Sequence, residues 1–425
     1  MSDSHPAVAL VGSLDTKHDE LVFARGLLQE RGVRVVLVDV GVLGEPATPP
    51  DVAAHRVAAA AGSDLRRLRD RADENGARAD AISTMAEGAA VVVHELVESG
   101  EVDGVLGIGG GQGSTIASAA LRAIPLGVPK VLLTTMSPDN LGAYFGESDL
   151  CVLYSVGDIS GLNRVTRTVI RNAVGAVVGM VTSPSAEETD DKPLVGISMF
   201  GTTTRGAHEI QVLLENEGFE TVAFHAVGSG GRALEGMIRS GEIAAVVDLT
   251  PSEVTDDVFG GIFSAGPDRM RASVEKGIPT VIVPGALGQI TFGPRATVPS
   301  SLDDGSHTVM PHSPSVTIVR ANSGDVERIG RAVTDRLAGA ENTVIAIPLR
   351  GISDYERPGA PLDDAQADSI LFSTLRESAP PAVPVLDRDT DINSPEFAAF
   401  VVGLLLDLWR SRATATSDHT HKENQ

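Results

Sequence analysis

Short apolar runs alternate along the chain with longer stretches of helical period, and this alternation predicts an α/β protein. Residues 8–42 and 193–229 share one pattern: an apolar run, a turn rich in Gly, Ser or Thr, a helical stretch and a second apolar run. A strand, a helix and a strand in this order form a βαβ unit, which requires parallel strands and a right-handed crossover. Each half of the chain is therefore expected to begin with the same folding unit.

The likeness between the two halves continues beyond these units. Residues 94–111 can be aligned with 235–252, and residues 127–136 can be aligned with 277–286. Because the apolar runs recur in the same order, we predict an α/β fold with two Rossmann-like doubly wound parallel-sheet domains related by duplication.

The boundary between the predicted domains is a polar, acidic and proline-bearing segment without any period, residues 182–193. Such a composition is typical of a linker. We therefore expect an N-terminal α/β nucleotide-binding domain over residues 1–181 and a C-terminal α/β domain over 194–412. Residues 413–425 are polar and aperiodic, which predicts a disordered tail.

Composition narrows the class of protein and of partner. Hydrophobic residues make up 42% of the chain with only one Trp and three Tyr, an aliphatic mixture that suits stacked α/β layers. The net charge of −23 disfavours binding to nucleic acid or to an anionic membrane. It does not exclude an anionic ligand, because backbone N–H groups and helix N-termini bind phosphate without net positive charge.

Targeting signals and cysteines point to the cytoplasm. The N-terminus lacks the basic and apolar regions of a signal peptide, and the apolar stretch at 397–410 is too short to span a bilayer. The single cysteine, Cys151, excludes an intramolecular disulfide. We expect a cytoplasmic protein without membrane partners.

The stretch LGIGGGQGST, residues 106–115, is the first candidate binding site. Glycines permit close approach of a ligand to the backbone, and the following helix adds exposed N–H groups and its dipole. No Gly-Lys-Ser/Thr follows, so the stretch is not a Walker loop, and a plain packing turn is the alternative interpretation. The candidate nucleotide ligands here are Gly109, Gly110, Gly111, Gln112, Gly113, Ser114 and Thr115.

The turn after the first strand, GSLDTK, carries a second set of candidates. Ser13, Asp15, Thr16 and Lys17 offer hydroxyl, carboxylate and ammonium groups that suit phosphate oxygens and a Mg²⁺ ion, with Asp15 as the candidate magnesium ligand. The alternative interpretation is that Asp15 or Thr16 caps the following helix.

Two further strand ends supply candidates. Asp39 ends the second strand, where an acid that binds ribose lies in dinucleotide-binding folds, although an Asp there also forms turns. Thr134 and Thr135 follow the fourth strand and complete the nucleotide set.

Catalytic residues cannot be assigned from spacing, so the question of enzymatic activity stays open. Asp15 and three residues of the second half, Asp248, Arg295 and His312, are the candidates because they are polar groups at strand ends or in structured loops. A lone histidine such as His312 is also typical of a hydrogen-bonded structural residue.

Ordered motifs identify a family resemblance. GSLDTK, GIGGGQGS, YSVGDISGLNR, GTTTRGA, DLTPSEV, FGPRATVP and IPLRGISDYERPGAPLDDAQAD occur in the order expected of one family. The chain, from about Val8 to Phe372, resembles the ATP-binding family typified by the amino-terminal domain of the tomato mosaic virus resistance protein.

This resemblance implies two Rossmann-like subdomains, ATP bound with Mg²⁺, and a homodimer. It also implies that residues 109–115, with Ser13, Asp15, Thr16 and Lys17, hold the nucleotide. The sequence departs from the family at Gln112, where a small residue is expected, and around Gly288 and Gln289, where acidic and asparagine residues are expected. Most of the departures lie around Gly288 and Gln289, which indicates that the nucleotide half is retained while the second half has diverged.

Three functions follow as hypotheses. The first is a protein that binds ATP and Mg²⁺ on the glycine-rich loop, near a cleft between the domains, with a small-molecule acceptor. The second is an ATP-dependent kinase or ligase acting on a small hydroxy or carboxylic acid. The third is an ATP-gated interaction module without turnover. A metabolite-binding scaffold whose glycine loop is only a turn is the remaining alternative.

Overall fold

Two parallel sheets lie in two units of the chain, Met1–Glu187 and Glu188–Gln425. The computed structural model describes residues 5–71, 76–137, 142–183 and 192–422, without the side chains of 142–143 and 413–422. Of the predicted linker, residues 184–191 lie outside the described residues, as do residues 423–425 of the predicted tail.

The N-terminal unit contains a sheet of parallel strands in the order β2-β1-β3-β4-β5. These strands are β1 (Ala7–Gly12), β2 (Arg34–Asp39), β3 (Gly104–Gly109), β4 (Lys130–Thr134) and β5 (Cys151–Tyr154). The helices are α1 (His18–Gln29), α2 (Ala54–Ala60), α3 (Leu65–Asp70), α4 (Ala77–Glu98), α5 (Gly111–Arg122), α6 (Gly142–Phe145) and α7 (Arg164–Val181).

Both faces of this sheet are buried, which explains why its strands are continuous apolar runs. Successive side chains of a strand point to opposite faces. Along β1, Ala9 and Val11 pack in the core that includes α2, α4 and α5, whereas Val8 and Leu10 pack in the core that includes α1 and α7.

The C-terminal unit repeats this topology. Its parallel sheet has the order β14-β13-β9-β8-β6-β7, so β6, β7, β8, β9 and β13 correspond to β1 to β5, and β14 is an added edge strand. The strands of the unit are β6 (Leu194–Met199), β7 (Glu220–His225), β8 (Ala245–Asp248), β9 (Thr280–Ile282), β10 (Gln289–Phe292), β11 (Val309–Ser313), β12 (Val316–Arg320), β13 (Thr343–Pro348) and β14 (Val385–Arg388). The helices are α8 (Thr204–Asn216), α9 (Ser229–Ser240), α10 (Ser252–Phe259), α11 (Arg271–Lys276), α12 (Ser323–Arg336), α13 (Ala365–Ser378) and α14 (Pro395–Lys422), with 3₁₀ turns at Gly201–Thr203 and Arg295–Thr297.

The shared strand order confirms the predicted fold class of two doubly wound parallel-sheet domains. The order 2-1-3-4-5 is the second of the two common doubly wound arrangements.

Two features differ from what the pattern suggests. The strands β10, β12 and β11 form a separate antiparallel sheet, and His312 lies within its strand β11. The last helix, α14, continues to Lys422, into the segment for which the sequence suggests a disordered tail. Among the described helices, none combines the length and the apolar character that crossing a bilayer requires.

Candidate functional site

A cavity of about 710 Å³ lies at the carboxyl ends of β1 and β3 in the N-terminal unit. The chain leaves β1 into α1 on one face of the sheet and leaves β3 into α5 on the other, so the strand order reverses between these two neighbours. Ligands of open α/β sheets bind in the crevice at such a switch point. The predicted residues that line the cavity are Ser13, Asp15, Thr16, Lys17, Gly109, Gly110, Gly111, Gln112 and Gly113.

The glycines of this cavity do not form a left-handed turn. Strand β3 ends at Gly109, Gly110 is the N-cap residue with φ −79°, and α5 begins at Gly111. Among the four described glycines from 109 to 113, none has positive φ. The backbone conformation therefore does not require glycine at these positions.

Packing requires glycine at only one of the four positions. A Cβ on Gly109 would lie 2.4 Å from the backbone of Gly113, which is too close for any real contact. At Gly110, Gly111 and Gly113 a Cβ would meet its nearest neighbours at 3.8, 3.5 and 3.9 Å, which is ordinary or open spacing. The start of α5 therefore has three residues without side chains, although neither the backbone conformation nor the packing requires glycine there.

The start of α5 offers hydrogen-bond donors to the cavity. The first N–H groups of a helix have no partner within the helix, and no side chain caps this one. The helix dipole adds partial positive charge at the same place. Arg78 from α4 also lines the cavity, and its guanidinium donates a hydrogen bond of 2.9 Å to the Gln112 side chain. The donors and the guanidinium together favour an anionic ligand.

Asp15 lies beside this donor set with one oxygen unused. Its Oδ2 accepts a hydrogen bond of 2.7 Å from the Leu43 N–H. Its Oδ1 is buried and has no hydrogen-bond partner among the described residues. The carboxylate packs against Gly41, where a Cβ would lie 2.7 Å from the Asp15 carboxyl carbon. Glycine at 41 is therefore what lets Asp15 occupy this position.

The turn after β1 does not cap α1. The N-cap residue is Lys17, and no side chain caps the helix. Instead, the Thr16 and Lys17 N–H groups donate to the Ser13 carbonyl, and the Lys17 ammonium donates to the Ile159 carbonyl. The capping role weighed for Asp15 and Thr16 is thus absent, while Lys17 is engaged at the edge of the cavity.

Two predicted ligands, Ser114 and Thr134, are buried and are not among the residues that line the cavity. Ser114 is fully buried, donates to the Gly109 carbonyl at 3.0 Å and pairs with the Thr134 hydroxyl at 2.7 Å. Thr134 in turn accepts the Met136 N–H at 3.1 Å. These satisfied groups hold the ends of β3 and β4 together and leave no donor for a ligand.

Of the remaining predicted ligands, Asp39 and Thr115 also have hydrogen-bond partners inside the protein. Asp39 is buried and accepts the Leu14 and Gly41 N–H groups, each at 2.9 Å. Burial raises the pKa of the Asp39 carboxyl above its ordinary value, against the lowering effect of these two hydrogen bonds. The Thr115 hydroxyl donates back to the Gly111 carbonyl at 3.0 Å. Neither Thr115 nor Thr135 is among the residues that line the cavity.

One side of the cavity is apolar and comes partly from elements that the sequence did not single out. Arg78 and its neighbours on α4 reach the cavity because α4 packs against α5, which no local pattern indicates. The apolar lining residues are Val40, Val42, Leu43, Leu68, Ala77, Ala81, Ile82, Ile108 and Ile116.

In the C-terminal unit, Asp248 is buried, and it is not among the residues that line the cavity of about 710 Å³ in the N-terminal unit or two further cavities of the described chain. Arg269 binds it through two hydrogen bonds, and Ser198 donates to it at 2.6 Å. Burial alone lowers the pKa of the Arg269 guanidinium, but Asp248 and Glu253 raise it overall to well above the ordinary value. This geometry gives Asp248 a structural role and argues against its use as a base.

The other two candidates of this unit have different partners. Arg295 is exposed and forms an ion pair of 2.6 Å with Asp303. His312 lines a separate cavity of about 410 Å³, where its Nδ1 lies 3.3 Å from the Tyr355 hydroxyl. The structure therefore does not bring Asp248, Arg295 and His312 into one catalytic group.

Metal ligands are sparse in the described part of the chain. No group of three His, Cys, Asp or Glu residues there is arranged to hold a metal ion. Magnesium needs no such cage, because it is commonly held by one or two carboxylates, water and the phosphates of the ligand. The unused oxygen of Asp15 fits that mode of binding.

Family models match both units of the chain. The N-terminal domain of an uncharacterised protein family, UPF0261, matches residues 6–186, and its C-terminal domain matches residues 192–409. A UPF0261 protein of Clostridium tetani is 36% identical over 403 residues, covering 94% of this chain and 98% of that protein. The UPF0261 protein RA0729 of Rhizobium meliloti is 36% identical over 408 residues, with the same two shares.

A plant protein is similar to most of this chain, and the likeness to a solved structure is weak. The ToMV resistance protein Tm-1(GCR237) of Solanum lycopersicum is 36% identical over 315 residues, or 72% of this chain and 41% of that protein. A Streptomyces sp. SF2575 glycosyltransferase, SsfS6, solved with thymidine diphosphate, is 13% identical over 95% of this chain and 96% of that chain. Its TM-score of 0.18 is too low to support any argument.

Proposed function

The chain belongs to the uncharacterised protein family UPF0261, and we propose that it binds ATP with Mg²⁺ in the cavity at the carboxyl ends of β1 and β3. One observation carries this proposal. Glycine occurs at positions 110, 111 and 113 although neither the backbone conformation nor the packing there requires it. A ligand that touches the backbone supplies that reason, because any side chain would keep its phosphates away from the N–H groups.

The cavity also suits the remainder of a nucleotide. Its volume of about 710 Å³ lies within the range of small-molecule sites. The apolar side, which includes Val42, Leu68 and Ile82, fits an adenine ring, while the start of α5 and Arg78 fit the phosphates. The acidic surface of the protein does not oppose this, since local donors bind the anion.

Asp15 fits the metal. Its buried Oδ1 has no partner among the described residues, and a carboxylate oxygen is a ligand that Mg²⁺ prefers. Bound Mg²⁺ would neutralise phosphate charge next to the helix start. Ser13 and Thr16 line the same wall and offer hydroxyls to the phosphates or to water on the metal.

The site allows two functions, a kinase or ligase and an ATP-gated module, and they differ in whether ATP is consumed. A kinase or ligase needs an acceptor and a base, and the buried ion pair of Asp248 leaves Asp15 as the candidate base at the cavity. In that use Asp15 takes the proton in place of binding the metal, which the phosphates and water then hold. An ATP-gated module needs only binding. The homodimer and the cytoplasmic location remain proposals drawn from the family resemblance and the sequence.

Calorimetry on three forms of the protein tests nucleotide binding. We expect the parent to bind ATP with Mg²⁺ at micromolar concentration and Gly111→Val to bind at least about tenfold more weakly, a loss of about 1.4 kcal/mol. Gly175→Val is the matched control, because Gly175 is a helical glycine of α7 with open space around its would-be Cβ. It should bind ATP as the parent does.

Two outcomes contradict the proposal. One is a folded parent that binds neither ATP nor ADP, and the other is a folded Gly111→Val that binds ATP as tightly as the parent. Urea unfolding of each variant establishes that it is folded. Release of phosphate from bound ATP, with and without small hydroxy or carboxylic acids, then separates turnover from gating.

A further inference from the structure

A second cavity, of about 410 Å³, lies within the C-terminal unit at the carboxyl ends of β6 and β7. Gly201 and Thr202, which follow β6, form one side of it, and His225 ends β7. The position is that of ligand sites in open α/β sheets. None of the proposed nucleotide ligands lines this cavity.

The hydroxyl group of Thr202 has no hydrogen-bond partner among the described residues. The residue is only 7% exposed. Its carbonyl, by contrast, accepts hydrogen bonds from the Asp354 N–H at 3.0 Å and from the Asn393 amide at 2.9 Å. The residue is thus fixed by its backbone while its side chain stays unpaired. Buried polar groups are normally satisfied, so an unpaired one on a cavity wall indicates a missing partner.

The polar groups around Thr202 favour a negatively charged partner. Gly201 and Thr202 open a 3₁₀ turn that leads into the 13 residues of α8, so the positive end of a helix faces this side. A Cβ on Gly201 would meet no atom within 4 Å, which leaves its backbone open to a ligand. His225 and His312 add two imidazoles, each able to donate a hydrogen bond.

Among the described residues, Asp354 is the one carboxylate that lines the cavity, and it is already paired. Its Oδ1 accepts a hydrogen bond of 2.7 Å from Arg205 on the first turn of α8. The pairing offsets the negative charge that would otherwise repel an anion.

The remaining walls are aromatic and aliphatic. The ring of Phe200 stacks on His225 with centroids 5.6 Å apart, and Phe263 meets Phe200 edge-on at 6.1 Å. Val316 and Ile318 of β12 add aliphatic surface. Flat rings and apolar walls of this kind bind a planar or apolar body.

We propose that this cavity binds a small organic carboxylate with a flat apolar body. The carboxylate accepts hydrogen bonds from the Thr202 hydroxyl and the start of the Gly201–Thr203 turn, and its body lies against Phe200 and Phe263. The proposal does not depend on nucleotide binding in the N-terminal unit.

Benzoate is the probe for this site, titrated into the nucleotide-free protein and followed by calorimetry or by NMR. We expect benzoate to bind at least about tenfold more tightly than benzamide, which lacks the charge, and than acetate, which lacks the ring. Benzylammonium, which carries the opposite charge, should not bind. Saturating ATP should leave benzoate binding in place.

Thr202→Val removes the hydroxyl and keeps the shape of the side chain. We expect this variant to bind benzoate about tenfold more weakly. Its unfolding midpoint should equal or exceed that of the parent, because the hydroxyl has no partner to lose. Thr168→Val is the matched control, since Thr168 is exposed, bonds the Arg164 carbonyl within α7 and does not line the cavity. It should bind benzoate as the parent does.

Three results would each overturn the proposal. They are a folded parent that does not bind benzoate, benzamide or benzylammonium binding as tightly as benzoate, and Thr202→Val binding benzoate as tightly as the parent. Gly111→Val, which tests the nucleotide site, should bind benzoate normally, so the failure of one proposal is distinguishable from failure of the other.

Discussion

Arg269 donates two hydrogen bonds, each of 2.7 Å, to Asp248 in the interior of the C-terminal unit. The same guanidinium donates to Glu253 at 2.7 Å and to Glu235 at 3.4 Å, so three carboxylates face one cation. Glu253 also accepts the N–H groups of Gly228 and Gly231. This cluster joins β8, α9 and α10 at the carboxyl end of β8, where open α/β folds commonly place ligand-binding groups.

Asp248→Asn should therefore lower stability and not merely remove a reactive group. An Asn side chain has one acceptor oxygen where Asp248 has two, so at least one buried donor of Arg269 or Ser198 loses its acceptor, which costs about 1–3 kcal/mol in the free energy of unfolding. Urea unfolding measures this cost. Asp389→Asn, which breaks the exposed pair with Arg350, is the control and should change stability little. An Asp248→Asn protein as stable as the parent would restore Asp248 as a candidate base.

Gly109 and Gly113 should respond differently to alanine. A Cβ on Gly109 would lie 2.4 Å from the carbonyl carbon of Gly113, so Gly109→Ala should destabilise the protein by about 1–3 kcal/mol. A Cβ on Gly113 meets its nearest neighbour, the Ser13 hydroxyl, at 3.9 Å. Gly113→Ala should keep or slightly raise stability, because alanine favours helix, while it weakens ATP binding. Equal unfolding curves for both variants would contradict the packing argument.

Ser114 should prove to be a structural residue. Ser114→Ala leaves the buried Thr134 hydroxyl without its partner, which costs about 1–3 kcal/mol in the free energy of unfolding. Thr115→Ala is the matched control in the same turn of helix, because the exposed Thr115 hydroxyl only bonds the Gly111 carbonyl. The folded Ser114→Ala protein should bind ATP like the parent. A loss of ATP affinity without a loss of stability would return Ser114 to the ligand set.

The sequence pattern predicts the sheets well because their strands are buried on both faces. In β1, Val8 and Leu10 pack in the core on one face of the sheet, and Ala9 and Val11 pack in the core on the other face. The strand is therefore an uninterrupted apolar run. The pattern also predicts which turns meet. The carboxyl ends of adjacent parallel strands lie at one edge, so the Asp15 turn and the turn at Gly110 line one cavity.

Local pattern does not show which polar groups at that edge are already satisfied. Ser114 and Asp39 look like ligands in the sequence, but their hydrogen bonds go to backbone groups and to Thr134 inside the protein. Arg78 could not be found because it reaches the cavity through the packing of α4 on α5. These outcomes depend on tertiary partners that are distant in the chain.

Asp256 should make stability depend on pH between about 4 and 7. Burial raises the pKa of its carboxyl from 3.8 to about 7, against hydrogen bonds from the Thr291 and Phe263 N–H groups that lower it. Because the folded-state pKa is raised, the stabilising contribution of the proton is fully present below about pH 4 and is lost as the pH rises to about 7. The slope is up to about 1.4 kcal/mol per pH unit.

Asp256→Asn isolates this contribution, because an amide does not titrate. The free energy of unfolding should fall less steeply with rising pH in the variant than in the parent over that window, and the two curves should run parallel above it. Other titrating groups contribute alike to both proteins. Parallel curves across the whole range from pH 4 to 8 would show that Asp256 is ionised in the folded protein at all these values.

Removal of the metal should weaken ATP binding through Asp15. Its buried Oδ1 has no partner among the described residues, so a Mg²⁺ ion held by the phosphates has one protein oxygen ready to bind it. Chelation of Mg²⁺ should reduce the ATP affinity of the parent by about tenfold, whereas Asp15→Asn should bind ATP weakly and equally with and without Mg²⁺. Asp64→Asn, which changes an exposed N-cap of α3, controls for the lost charge and should keep the metal dependence. Calorimetry with and without chelator distinguishes the cases. If Asp15→Asn keeps the full metal dependence, the metal binds to the phosphates alone and Asp15 serves another partner.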